Sequence, residues 1–349
     1  LRVQVFTLLF LFRIGVDLCA WTTPFEIDGY YTRSKKNTFP AIAVDKYNRS
    51  HVAWKSDSML NYDANIYYRY NTDPNDYTKW SERVNLTQNN IPYSTRPDIA
   101  IDWMGRPHIV WDTWYSTDIW WSYCDSVWIP PVNISNNPGG SQQPCFVSDT
   151  LNNKLYIVWA DATYGGNLEI VMKIFEGDTW SQTQRVTYDP ESSTDPRVTV
   201  DSKGHLHLVW MDFGDYDIHY SEFDGDTWST PENISNLAGQ SYLPAIAIDP
   251  QDRPNAVWEE RSGGSWVYYT RGDSGSWSEP YLISDNEGCE PCIAIGTDNQ
   301  ICVLWGYTSG EFCRFYENGS WGGVETIDTL LSRFNFIPHP RFSFIPHFF

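Results

Sequence analysis

PRVTVDSKGHLHLVWMDFGDYDIHYSEFDGDTWSTPENIS, residues 196–235, is the stretch whose pattern decides the fold. Arg197-Val198-Thr199-Val200 alternates as a strand does, and Asp201-Ser202-Lys203-Gly204 is a tight-turn sequence. In such a turn Gly supplies positive φ and Asp caps through its own side chain. Residues 205–210, ending on Trp210, make a second strand. A polar loop leads to a third strand at 218–223, and Asp224-Gly225-Asp226 turns the chain into a fourth at 228–235, opened by Trp228. The unit is therefore predicted to be four short antiparallel strands with short connections.

The same unit recurs along the chain. Second strands ending in Trp read HVAW (51–54), HIVW (108–111), YIVW (156–159), HLVW (207–210), NAVW (255–258) and CVLW (302–305). Each follows a Pro-led strand starting at Pro40, Pro97, Pro144, Pro196, Pro244 or Pro291, at spacings of 57, 47, 52, 48 and 47 residues. An all-strand repeat of this length predicts an all-β chain, a β-propeller of four-stranded antiparallel blades. One such sheet cannot bury both faces alone, so neighbouring blades supply the core. The paired Trp of each unit, burying on the order of 150–250 Å² each, are read as inter-blade packing rather than ligand platforms. Six complete units run over residues 40–327. A fourth-strand-like segment, WTTPFEI at 21–27, precedes them and would need partners from the C-terminal end, where the tail is too short for three strands. Six blades are expected, with a truncated or unusual seventh as the alternative.

One repeat array covers nearly all 349 residues, which predicts a single propeller domain over 21–331, followed by a tail at 332–349. The formal net charge of −20 argues against nucleic acid or an anionic membrane as partner. Residues 1–20 combine Arg2, a short apolar run and Leu18-Cys19-Ala20. The run is too short to span a bilayer and reads as a secretory signal, which predicts an extracellular protein. Six cysteines follow Cys19, an even number that permits disulfides in an exported chain. Cys289-Glu290-Pro291-Cys292 has metal-like spacing but no matching second pair, so no metal site is assigned to it. Asn48, Asn85, Asn133, Asn233 and Asn318 lie in glycosylation sequons, three of them in the NIS or NLT that the repeat itself explains. No function is assigned to the tail's duplicated FNFIPH and FSFIPH.

At the turn between third and fourth strands the chain resembles the Asp-box, or bacterial neuraminidase repeat, of sialidase-type propellers. Gly177, Thr179 and Trp180 match the second half of that motif, as do Gly225, Thr227 and Trp228. Asp273 and Gly275 keep its Asp-x-Gly spacing, with Trp277 one residue early, and the turn at Asn318-Gly319-Ser320-Trp321 is shorter still. The resemblance implies a glycan-directed fold in which these turns stabilise the blades. For a sialidase it implies three arginines gripping a carboxylate, a Tyr–Glu nucleophile pair and an Asp acid/base. Guanidinium forks suit a carboxylate bidentately, and paired carboxyl groups drive glycoside cleavage. The ligand face would be the one made by the second-to-third and fourth-to-first strand loops. Arg33, Arg96, Arg197 and Arg261 lie near it, and Tyr242, Tyr307, Glu259 and Glu260 fall in suitable loops, although the family's early Arg-Ile-Pro motif is absent.

The repeat itself supplies a second constellation. Just beyond the second-strand Trp stand Asp57, Asp112, Asp161, Asp212 and Glu259 or Glu260. In equivalent blades they form an acidic ring that would bind Ca²⁺ or sugar hydroxyls, or else cap their own loops. No other cofactor is expected. The acids that end first strands (Asp45, Asp102, Asp201, Asp249) are read as turn formers, and His51, His108 and His207 as half-buried strand residues. Trp114 and Tyr115, in the loop of the second unit, are the aromatic candidates for stacking on a sugar. The ligand-binding candidates are thus Arg96, Arg197, Arg261, Asp112, Trp114, Tyr115, Asp212, Tyr242 and Glu259. The partner expected is a glycan or polysaccharide. Three classes stand: a glycoside hydrolase of exo-sialidase type or related lyase, a non-catalytic multivalent lectin, and a protein-interaction or surface-structural propeller. Fold alone does not choose among them.

Overall fold

The computed structural model describes residues 35–58, 64–76, 78–88, 91, 93–114, 117–308 and 310–326. The signal-like segment, the 21–27 strand, Arg33, Tyr115, the side chain of Asp57 and the 332–349 tail lie outside them. The described residues contain no helix and form six antiparallel sheets whose strands follow one another in chain order. The fourth blade stands for all. Ser193–Val200, Leu206–Asp212, Ile218–Phe223 and Glu232–Asn233 pair in sequence. First strands of successive blades lie beside one another, so they form the inner wall.

Two details correct the reading of the strands. The first strands begin before their prolines, and each proline sits in a register shift, for example between Thr194 and Arg197 and between Cys289 and Cys292. Proline has no N–H for the ladder, and a bulge is where a sheet tolerates one. The residue before each proline takes a left-handed backbone: Phe39, Arg96, Gln143, Asp195, Leu243 and Glu290, with φ between 47° and 59°. Such strain costs roughly 1–3 kcal/mol per non-Gly residue. Its recurrence in all six blades marks a built feature of the repeat.

The fourth strand is also broken in two. Trp180 pairs with Phe175, and the ladder resumes only at Gln184–Arg185. Serine bridges the gap. The hydroxyls of Ser81, Ser181, Ser229 and Ser278, each directly after an outer Trp, accept third-strand N–H groups from Tyr70, Ile174, Glu222 and Arg271 at 2.9–3.1 Å. At the other end, Ser135, Thr187, Ser235 and Ser284 accept the N–H of Ile119, Ile170, Ile218 and Val267. The NIS-type repeat is therefore ladder chemistry. Its asparagines are engaged as well: Asn133 and Asn233 accept the N–H of Asn136 and Asn236.

Packing between blades uses the two Trp series as expected. Trp111 joins a cluster of the first and second blades, Trp159 one of the second and third, and Trp210 one of the third and fourth. Trp258 and Trp305 continue the series. All five are essentially buried. The outer Trp lean on the preceding blade, Trp128 on Tyr68, Trp180 on Trp121, Trp277 on Tyr220 and Trp321 on Tyr269, edge to face at 4.8–5.3 Å. These are favourable ring geometries. No disulfide joins the described cysteines to one another.

Candidate functional site

The rim that carries the first-to-second strand turns is structural. Asp45, Asp102 and Asp249 each accept the Nε–H of an arginine four residues on (Arg49, Arg106, Arg253) at 2.6–2.7 Å. His51 and His108 approach Asp45 and Asp102 through Nε2 at 3.3 and 3.2 Å, and their Nδ1 atoms meet Tyr68 Oη and Trp121 Nε1. Burial would raise the Asp45 and Asp102 pKa, but these hydrogen bonds outweigh it and hold both below the usual carboxylate range. Burial pushes His51 and His108 down. The histidines are thus strand residues fixed in turn networks, but buried rather than half-buried as the sequence reading has them.

On the opposite rim the acidic ring resolves into two sets, because side chains alternate along a strand. Asp161, Asp212 and Glu260 stand two residues after Trp, and Asp161 and Glu260 each bond a serine near the start of their own blade's first strand. Asp161 accepts Ser141 Oγ–H and Trp159 Nε1–H, both at 2.8 Å, and Glu260 accepts Ser241 Oγ–H at 2.8 Å. Asp112 and Glu259 stand one residue after Trp and reach to the next blade. Asp112 Oδ2 accepts the N–H of Gln143 at 2.8 Å, and Glu259 Oε2 that of Glu290 at 3.3 Å. Both acceptances fall on the strained pre-proline residue of the neighbouring blade.

The three candidate arginines have distinct surroundings. Arg96 Nε lies 2.7 Å from Asp112 Oδ2. Arg197 Nη1–H donates to the Pro196 carbonyl at 2.8 Å, low on an inner strand. Arg261 Nε–H donates to Glu259 Oε1 at 2.6 Å, with its guanidinium 4.2 Å from the Tyr242 ring centroid. Trp114 is 69% exposed, as a stacking platform requires. Tyr188, Phe213 and Tyr216 are further exposed aromatics on loops of this rim.

The densest chemistry lies between the fifth and sixth blades, where three candidates (Tyr242, Glu259 and Arg261) meet. Glu259 is buried and only accepts: from Arg261, from Ser265 Oγ–H at 2.8 Å, and from the Glu290 N–H. Glu290 is not among the candidates that the sequence offers. Burial first, and the charge of Glu259 second, push its pKa up to about 8. Cys289 beside it donates Sγ–H to the Gly306 carbonyl at 3.1 Å. Burial and the two glutamates push its thiol up to about 12, so it is no thiolate nucleophile at neutral pH. Tyr307 bonds Glu287 at the lip. The site thus holds an acceptor carboxylate, a carboxylic acid kept protonated at neutral pH, a stacked cation and phenol rings. A position-by-position comparison of pre-proline residues is the one sequence signal that points to Glu290, since it aligns with Arg96.

Asp212 lies elsewhere, with Asp215 and His219, their ligand atoms all within 4.8 Å of one another. Asp215 Oδ2 already receives His219 Nε2 at 2.9 Å and Asn233 Nδ2 at 3.1 Å, and Asp212 Oδ1 the Gly214 N–H at 2.7 Å. Ca²⁺ takes six to eight oxygens, and this imidazole-containing, internally bonded set does not fit it.

No protein-family model matches the sequence, and no curated protein matches it. Solved structures do resemble the fold. The GH93 alpha-L-arabinofuranosidase of Fusarium graminearum superposes with a TM-score of 0.57 at 12% identity, covering 78% of this chain and 90% of that one. A PL25 ulvan lyase gives 0.56 at 12%, covering 82% and 81%. A Hadza microbial sialidase gives 0.52 at 12%, covering 77% and 63%. The likeness is one of fold, the β-propeller that glycan-active proteins also use.

Proposed function

We propose that this is an exported carbohydrate-recognising propeller whose ligand enters the rim between the fifth and sixth blades. The carrying observation is the convergence of Glu259, Arg261, Tyr242 and the protonated Glu290, a mixed donor–acceptor set beside aromatic rings. Sugar hydroxyls need both kinds of partner, and sugar faces need rings. The glycan-active proteins that share the fold support the same reading. The ligand is a neutral sugar. Arg96 and Arg261 already meet carboxylates of their own blades, so two of the three guanidinium groups of a sialidase-type grip are spent, within a chain of net charge −20. Titration calorimetry with neutral and with acidic oligosaccharides tests this. Binding of neutral glycans, lost in Glu259→Ala, is expected. A preference for sialosides or uronates would overturn it.

A second reading, glycoside cleavage at the same place, rests on the glutamate pair. Two carboxyl groups whose surroundings separate their protonation states are the usual equipment for acid and base roles. Fluorogenic glycosides of neutral sugars, assayed across pH, test it. Turnover that Glu290→Gln abolishes supports cleavage; binding without turnover leaves a lectin.

A further inference from the structure

We propose that Asp212, Asp215 and His219, on the loop-lined rim of the fourth blade, form a site for a small divalent cation of the zinc type, apart from the candidate glycan site between the fifth and sixth blades. Their ligand atoms all lie within 4.8 Å of one another. Two carboxylates and a neutral imidazole balance a dication, and Zn²⁺ takes this mixture of oxygen and nitrogen ligands. Asp212 is only 6% exposed. Its Oδ1 accepts the Gly214 N–H at 2.7 Å, but its Oδ2 accepts no hydrogen bond from a described residue. A buried carboxylate oxygen without a donor is costly, and a cation removes that cost.

The third blade shows the same position satisfied by the protein itself. Asp161 Oδ2 accepts Asn137 Nδ2–H at 2.7 Å and both Ser141 Oγ–H and Trp159 Nε1–H at 2.8 Å. The fourth blade keeps the serine and the indole as Ser193 and Trp210, but neither bonds Asp212. Ser193 Oγ–H turns to Asp189 Oδ2 at 3.4 Å, and Trp210 Nε1–H has no acceptor among the described residues. Asp189 is the decisive difference. It stands four residues before Ser193, as Asn137 stands four before Ser141, so a carboxylate occupies the place where the third blade has a donor amide. Asp189 and Asp215 both act on Asp212 as like charges. His219 Nε2 meets Asp215 Oδ2 at 2.9 Å, and Asn233 Nδ2–H reaches the same oxygen at 3.1 Å. On metal entry the imidazole proton passes from Nε2 to Nδ1, and Nε2 becomes the nitrogen ligand. Three protein ligands leave the fourth tetrahedral position to water.

Calorimetric titration of the chelator-stripped full chain with Zn²⁺ tests the site. Zn²⁺ should bind, an excess of Ca²⁺ should not displace it, and His219→Gln should weaken the binding about tenfold or more. Asp189→Asn separates the site from folding. It gives Asp212 the donor that Asn137 gives Asp161, so the metal-free variant should unfold at a higher urea concentration than the parent. Its Zn²⁺ affinity should nevertheless fall about tenfold or more, the scale on which groups behind a metal's ligands act. Zn²⁺ affinity unchanged in either variant, or displacement of Zn²⁺ by Ca²⁺, overturns the proposal.

Discussion

Glu259 of the fifth blade accepts the backbone N–H of Glu290 in the sixth at 3.3 Å, so one side chain both lines the candidate site and holds the strained bulge beside it. Asp112 and Gln143 repeat the relationship at 2.8 Å between the second and third blades. The carboxylates that face the rim at these two boundaries are therefore structural as well as candidate ligand contacts, and variants must be chosen to separate the roles.

Glu259→Gln keeps the shape and an acceptor oxygen but removes the charge that pairs with Arg261. Calorimetry should show roughly tenfold weaker binding of a neutral glycan, about 1.4 kcal/mol. The variant should also gain affinity for acidic sugars, because Arg261 is released. Unchanged selectivity would count against the paired-arginine account.

Glu290 binds its proton more tightly in the native state, its pKa moving from 4.5 to about 8. The native chain then holds the extra proton between those values, so this group's contribution to stability is full below pH 4.5 and falls as pH rises toward 8. Urea unfolding across that window should show Glu290→Gln with the flatter pH dependence. Equal slopes in both proteins would contradict the shift.

Asp98 accepts the Phe146 N–H of the next blade at 2.8 Å while buried. Asp98→Ala strands that N–H and should cost about 1–3 kcal/mol, seen as a lower urea midpoint. A midpoint within error of the parent would mean that the N–H finds another acceptor.

Trp111 and Trp114 lie three residues apart with opposite fates. Trp111→Ala opens a void between two blades and should cost about 3–5 kcal/mol. Trp114→Ala, at 69% exposure, should shift stability by no more than about 0.5 kcal/mol while weakening glycan binding. Thermal melts and calorimetry on the pair separate packing from recognition.

The sequence by itself determined the repeated sheet, the strand-ending Trp as packing, and the turn role of Asp45, Asp102 and Asp249. Each is a local property of spacing, alternation or turn chemistry, and survives in every repeat. It did not reveal that prolines sit in bulges, that Ser81 and Ser229 bridge a broken outer strand, or that the acids after Trp form two sets facing different blades. A one-residue offset reverses the face of a side chain, and the repeats carry their acids at either offset. Only the tertiary structure decided that Tyr242, Glu259 and Arg261 meet Glu290. That encounter joins two blades, and contacts between sheets depend on how strained backbone aims side chains across a boundary, which no local pattern records.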